Sequence, residues 1–229
     1  MIANVNHSLL KLVTFESLTS GIKSIGALVD NDREVVDFCC DNKVIPNDMK
    51  SFIEGGQKTM SYALDIISSG RNRINISNIK LKAPISNPEK VIGIGLNYKE
   101  HAIETNMPFP KEPVVFTKFA SSIVGPDENI IKPKSTDEVD YEVELVVVIG
   151  RECRFVSEAN ALDYVIGYTV GNDVSARDWQ MRKPSGQWSL GTPSGVGFTR
   201  KPPVFLNDGN IVDCEIENLG TLTNFVKSE

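Results

Sequence analysis

The chain has 229 residues, with 24 Lys plus Arg against 30 Asp plus Glu, a formal net charge of −6, 41% hydrophobic residues and 24% charged residues. These proportions exclude a disordered, collagen-like or coiled-coil chain, and no run approaches the ~18 apolar residues that a membrane helix needs. An acidic chain has no electrostatic reason to seek nucleic acid or an anionic membrane, so neither is an expected partner.

Residues 1–7 lack the basic and apolar regions of a signal peptide. The first cation is Lys11 and the first arginine Arg33, which weakens a transit-peptide reading. The cytoplasm is the expected compartment, with mitochondria as the alternative. Apolar and polar residues alternate over 10–15, 24–28 and 34–38, separated by Thr19-Ser20-Gly21 and Asp30-Asn31-Asp32, which predicts short antiparallel strands. Phe52, Met60, Ala63, Leu64 and Ile67 can share a helical face within 51–69. Strand patterning returns over 71–82. Pro84 and Pro88 then interrupt any ladder and mark a boundary. Residues 91–95, 114–118, 142–149, 165–170 and 211–216 read as strands, and 157–164 as a short helix. The apolar run 145–150 looks like a buried strand. The fold class is therefore α+β: a small N-terminal α/β-type domain, 1–84, and a mostly β C-terminal domain, 85–229. Cys39, Cys40, Cys153 and Cys214 form no C-x-x-C pair and are read as reduced, mostly buried apolar groups.

Four segments carry candidate chemistry. In Asp140-Tyr141-Glu142-Val143-Glu144 a strand would point Glu142 and Glu144 to one face. Two buried carboxylates are costly unless a cation compensates them; an edge strand with an acidic solvent face is an equal reading of this motif alone. Asp173, at the end of Gly171-Asn172-Asp173, offers a third carboxylate, or a helix N-cap. An all-oxygen set suits Mg²⁺, Mn²⁺ or Ca²⁺ better than zinc. Arg177 and Gln180 are spaced to reach one spot, where a guanidinium can hold a carboxylate or carbonyl, unless they are a solvated face. His101 and Glu104 are likewise i, i+3: the carboxylate can orient an imidazole base, although a surface pair is the more frequent fate of such spacing. Gly93 and Gly95 begin a dinucleotide fingerprint, but Tyr98 stands where its third glycine belongs and the βαβ context is missing. Gly191-Thr192-Pro193-Ser194-Gly195-Val196-Gly197 is a turn able to present backbone N–H groups, or a tight strand connection.

Taken in order, GLNYKEHAIE, FTKFASSIVGP, DYEVELVVVIG, GYTVGNDVSARDWQ, GTPSGVG and RKPPVFLNDG resemble the fumarylacetoacetate hydrolase family, closest to its domain-containing 2-like members. The resemblance covers most of 85–229. It implies a mixed β-sandwich roll, a homodimer, and a Mg²⁺ or Mn²⁺ site with Glu142, Glu144 and Asp173 as ligands. It implies His101 and Glu104 as the catalytic dyad, and Arg177, Gln180, Thr192 and Lys118 as substrate-binding positions. The implied substrate is a small oxo acid. The implied reaction is C–C bond hydrolysis of a 1,3-diketo or acylpyruvate-like acid, with oxaloacetate-type decarboxylation or isomerisation as alternatives on the same site. One departure is large: Gly191 passes directly to Thr192, where the family carries a lysine-containing block of several dozen residues. The C-terminal fold is therefore expected to be incomplete, and a catalytically silent form that retains at most metal binding is a further alternative.

Overall fold

A computed structural model describes residues 1–5, 8–40, 44–182 and 195–229. In chain order the strands and helices are β1 (Ile2–Val5), β2 (Ser8–Ser17), β3 (Lys23–Val29), β4 (Glu34–Asp37), α1 (Met49–Glu54), α2 (Gly56–Ser69), β5 (Arg73–Asn75) and β6 (Ile79–Lys82). They continue with β7 (Val91–Gly95), α3 (Lys99–Glu104), β8 (Val114–Lys118), β9 (Asn129–Lys132), β10 (Val139–Asp140) and β11 (Val143–Ile149). The last are β12 (Val165–Asn172), β13 (Ser175–Ala176), β14 (Ile211–Ile216) and β15 (Gly220–Ser228). The expected strands up to residue 38 and at 91–95, 114–118 and 211–216 are present. The expected helix over 51–69 is two helices. Gly55 ends α1, Gly56 opens α2 at φ 58°, and Thr59 Oγ1 donates to the Phe52 carbonyl at 2.6 Å, holding one helix to the other. Asp48 caps α1 by accepting from the Ser51 amide at 2.8 Å. The expected helix at 157–164 is a 3-10 helix, Glu158–Tyr164.

The chain divides into two compact units: Met1–Pro88 with Val146–Thr169, and Glu89–Leu145 with Val170–Glu229. The first unit is discontinuous because β11 and β12 extend the N-terminal sheet, whose order is β11-β12-β1-β2-β3-β4-β5 with β6 also on β2. Its core is Leu12, Ile25, Ala27, Val36 and Phe38 on the sheet against Phe52, Met60, Ala63 and Ile66 on the helices, with Phe38 and Phe52 stacked at 5.8 Å. In the second unit β14 alternates exposed and buried residues, so that Val212 and Cys214 turn inward onto Ile130, Val139, Leu206 and Val226. Its three sheets are β7-β8, β10-β13 and β14-β15-β9. Gly93 sits opposite Phe116 in β8, and a Cβ there would lie 2.1 Å from the ring. That glycine exists for packing, in keeping with the missing dinucleotide context.

Two expectations are corrected. The apolar run after Glu144 is not a buried strand: Leu145, Val147 and Ile149 are 44–52% exposed and only Val148 is buried. The reason is position, since β11 ends the sheet and no described strand pairs with its outer edge. The cysteines are all free thiols, but only Cys214 is buried; Cys40 and Cys153 are exposed. Among the described residues no helix is long and apolar enough to cross a membrane.

Candidate active site

The site lies within the second unit and is built from the ends of short elements. Leu96, with a left-handed φ of 52°, turns the chain from β7 toward α3, which carries His101 and Glu104. His101 is 1% exposed, and its Nδ1 lies 3.4 Å from Glu104 Oε2. The pair is thus partly buried, not a solvated surface pair. Burial lowers the His101 pKa from the usual 6.5, while the hydrogen bond and charge of Glu104 pull it back up. Glu104 also accepts from the Gly195 amide at 3.3 Å and from the Thr199 hydroxyl.

The acids lie around the start of β11 and the end of β12. Glu142 is 1% exposed, and its amide donates to Asn172 Oδ1 at 3.0 Å. The Asp173 amide in turn donates to the Glu142 carbonyl at 2.8 Å. These two backbone links bring Glu142 and Asp173 together; Asp173 is not a helix cap. Burial pushes the Glu142 carboxyl up to about 8, opposed by Arg177 and reinforced by the charges of Asp173 and Glu144. Asp173 is raised as well, by burial, against the opposing ammonium of Lys118. Glu144 reaches Tyr98 too: its charge adds to the burial that raises that phenol.

Three cationic or amide groups face these acids. Lys118 Nζ donates to the Val174 carbonyl at 3.1 Å and makes an ion pair with Asp173 Oδ1. Arg177 is 0% exposed; its Nη1 donates to Gln180 Oε1 at 2.9 Å, and its Nη2 forms an ion pair with Glu142 Oε1. Arg177 Nη2 with Glu142 Oε1, and Lys118 with Asp173 Oδ1, thus satisfy one another as ion pairs. Glu142 Oε2, Gln180 Nε2 and Asn172 Nδ2 remain buried with no hydrogen-bond partner. Buried polar groups normally find partners, so this set of acceptors and donors is complementary to something polar. The buried oxygens of Glu142 and Asp173, coupled to Glu144, are the donor chemistry that a hard divalent cation takes. As the side chains stand, however, no three His, Cys, Asp or Glu among the described residues converge closely enough to hold an ion. The cations of Lys118 and Arg177 lie against the acids instead.

The structure therefore brings His101, Glu104, Lys118, Glu142, Asp173, Arg177 and Gln180 into one unit. Thr192 and the Gly191–Thr192 junction lie outside the described residues. Sequence reasoning missed Asp140, Phe198 and Thr199. Asp140 is 0% exposed and accepts from Arg177 Nε at 2.8 Å, Phe198 stacks its ring 4.6 Å from the Arg177 guanidinium carbon, and Thr199 donates to Glu104. The residues 195–199 are about a hundred positions from α3, and no local spacing signals such contacts.

A buried acid cluster with paired cations and a half-buried His–Glu pair, on an α+β scaffold, make up a candidate enzyme site. The comparisons give its family. The model of the fumarylacetoacetate (FAA) hydrolase C-terminal domain matches residues 90–191 and 189–227. The chain is 42% identical to the fumarylacetoacetate hydrolase domain-containing protein 2 homolog of Dictyostelium discoideum, over 97% of this chain and 99% of the relative. It is 36% identical to a Xenopus laevis protein named oxaloacetate tautomerase fahd2, mitochondrial, over 94% of this chain and 89% of the relative. A solved structure, the fumarylacetoacetate hydrolase EaFAH of Exiguobacterium antarcticum, superposes with a TM-score of 0.76 at 27% identity, covering 96% of this chain and all of that one. This chain belongs to the fumarylacetoacetate hydrolase family.

The comparisons also locate the missing block. The family match falls in two pieces that meet at residues 189–191. The Dictyostelium alignment runs over 304 positions, whereas 97% of 229 residues is about 222, so about 80 positions of the relative face no residue here.

Proposed function

We propose that this chain acts on a small enolisable 2-oxo diacid, interconverting the keto and enol forms of oxaloacetate with Mg²⁺ or Mn²⁺ held by Glu142, Glu144 and Asp173. The observation that carries the reading is the juxtaposition of a neutral, carboxylate-oriented imidazole with the buried Arg177 guanidinium and the open Gln180 amide donor. A base and an anion site in one buried place are what proton abstraction beside a carbonyl requires. The names of the Xenopus relative and of its bovine and human counterparts, each an oxaloacetate tautomerase, point to the same chemistry.

Bound at these acids, a divalent ion supplies Lewis-acid polarisation of a carbonyl. The residues do the rest. Gln180 Nε2, a buried donor with no hydrogen-bond partner, and the Arg177 guanidinium, whose Nη2 faces the acid cluster in an ion pair with Glu142, take a substrate carboxylate. His101, neutral at pH 7 because burial lowers its pKa, accepts the proton from the carbon next to the carbonyl and returns it to complete the exchange. Glu104 fixes the imidazole and stabilises its protonated form. Lys118, on the Asp173 carboxylate, moderates the acid cluster and lies where a substrate oxygen would approach it.

C–C bond hydrolysis is the second reading. It is favoured by the same His101–Glu104 pair, which can deprotonate water as readily as carbon. The two are separated by offering oxaloacetate and an acylpyruvate to the same preparation. Keto–enol exchange that fails in His101→Ala and Glu142→Ala, with no acylpyruvate cleavage, supports the first; the reverse pattern supports the second. Activity that survives in these variants would overturn the assignment of these residues; no activity of either kind would leave the silent shortened form. The names of the mitochondrial relatives support the mitochondrial alternative for this chain; fractionation of cells expressing it tests that. A homodimer is proposed on the resemblance alone, and sedimentation tests it.

A further inference from the structure

Asp140 is a buried carboxylate that the proposed reaction does not use. Its Oδ2 accepts from Arg177 Nε at 2.8 Å and from the Phe198 amide at 3.3 Å. Its Oδ1 accepts from the Gly197 amide at 2.9 Å and from the Tyr141 amide at 3.0 Å. A charge removed from water this completely persists only when paired and hydrogen-bonded, and four donors meet that demand. Two of them belong to a backbone segment that lies after the Gly191–Thr192 junction. Gly197 is where that backbone must come close: a Cβ on it would lie 1.9 Å from the Val204 carbonyl oxygen and 2.7 Å from Asp140 Oδ1.

The guanidinium is consequently fixed from three sides. Asp140 holds Nε, Gln180 holds Nη1, and the Phe198 ring covers one face at 4.6 Å. Nη2 faces the acid cluster, in an ion pair with Glu142 Oε1. The carboxylate that orients the arginine is thus the same one that docks Gly197 and Phe198, and Phe198 itself completes the arginine's seat.

We propose that Asp140 is a positioning residue: it orients Arg177 for a substrate carboxylate, and it makes that orientation conditional on the docking of Gly197–Phe198. The segment beyond the missing block is therefore a working part of the anion site. The inference rests on the assignment of Arg177 and Gln180 to substrate binding.

The test uses the full chain with Mg²⁺, and oxalate as a planar dicarboxylate that cannot enolise. Calorimetric affinity for oxalate and amide hydrogen exchange at Gly197 and Phe198 are measured for the parent, Asp140→Asn, Arg177→Lys, the double variant and Gly197→Ala. Asp140→Asn is expected to weaken oxalate about tenfold, the worth of a charge-assisted hydrogen bond, and to speed exchange at both amides. In the double variant Arg177→Lys is expected to add little, because both changes disable one device. Gly197→Ala touches no substrate group, and it too is expected to weaken oxalate. With oxaloacetate, KM is expected to rise in Asp140→Asn with kcat nearly unchanged. Faster exchange with unchanged oxalate affinity would make Asp140 a purely structural tether and overturn the proposal. If Asp140→Asn does not fold, Gly197→Ala decides by the same criterion. A parent that binds oxalate but does not turn over oxaloacetate sinks the proposed reaction and leaves the affinity ratios to judge this inference; a parent that does not bind oxalate overturns the inference.

Discussion

His101 shows how one side chain's surroundings set its role. Its burial lowers the pKa below 6.5, and Glu104 opposes that shift. The imidazole is then neutral at pH 7 and competent as a base. The acid limb of kcat/KM is expected to have its midpoint below pH 6.5. Glu104→Gln removes the opposing charge, so it should move that midpoint lower still while cutting the rate about 10²-fold. A pH–rate profile of both proteins reads this; a limb above 6.5, or one indifferent to Glu104, would refute it. The linkage has a definite sign. A folded-state pKa below the unfolded one contributes stability above pH 6.5, and that stability is lost as pH falls through the folded value. These residues were legible in the sequence because each pair is local: His101 with Glu104, Arg177 with Gln180. Asp140 was not, because its partners Arg177, Gly197 and Phe198 are 37 to 58 positions away.

At the scale of elements, β11 is the instructive case. Its composition reads as a buried strand, yet Leu145, Val147 and Ile149 are exposed. Burial of a strand depends on its neighbours, and composition cannot report a neighbour that is absent. An apolar edge strand is a template for pairing with other chains. The paired substitution Leu145→Lys and Val147→Lys is expected to suppress aggregation, read by light scattering during heating, with little change in the unfolding midpoint. A large drop in that midpoint would mean that these residues are packed after all. Local patterns served better where burial follows period two, as in β14, and where caps and glycines divide α1 from α2. The two-residue pairing of β10 with β13 carries no pattern to read, although it brings Asp140 beside Ser175 and so sets up the approach of Arg177. In the first unit, Phe52 is fully buried against Phe38. Phe52→Ala is expected to cost about 3–5 kcal/mol, measured by denaturant unfolding; a cost under about 1 kcal/mol would contradict the packing described.

On the scale of the whole molecule, the question is how a chain lacking about 80 aligned positions of its relative still gathers the proposed site residues. The acids, the histidine and the arginine all precede the junction, and the segment after it is held by Asp140 and Glu104. The order of motifs was legible because each is short and local in sequence. That Val146–Thr169 belongs with the N-terminal sheet was not, because β12 reaches back to pair with β1. If the acid cluster takes a divalent ion, Mg²⁺ or Mn²⁺ at 100 times its dissociation constant should stabilise the native state by roughly 2.7 kcal/mol. For a chain of this size that corresponds to about 5–10 °C in the unfolding midpoint. Glu142→Ala should abolish the shift; an equal shift in that variant would place the ion elsewhere.

The central claim is that the shortened chain still performs enolate chemistry at His101. The direct measurement is the metal-dependent rate of keto–enol exchange of oxaloacetate, followed by the ultraviolet absorbance of the enol, in the parent and in His101→Ala. The account predicts a rate above the buffer-catalysed background that needs Mg²⁺ or Mn²⁺ and falls about 10²–10⁴-fold in the variant. A parent rate indistinguishable from buffer, or one that survives His101→Ala, would contradict it.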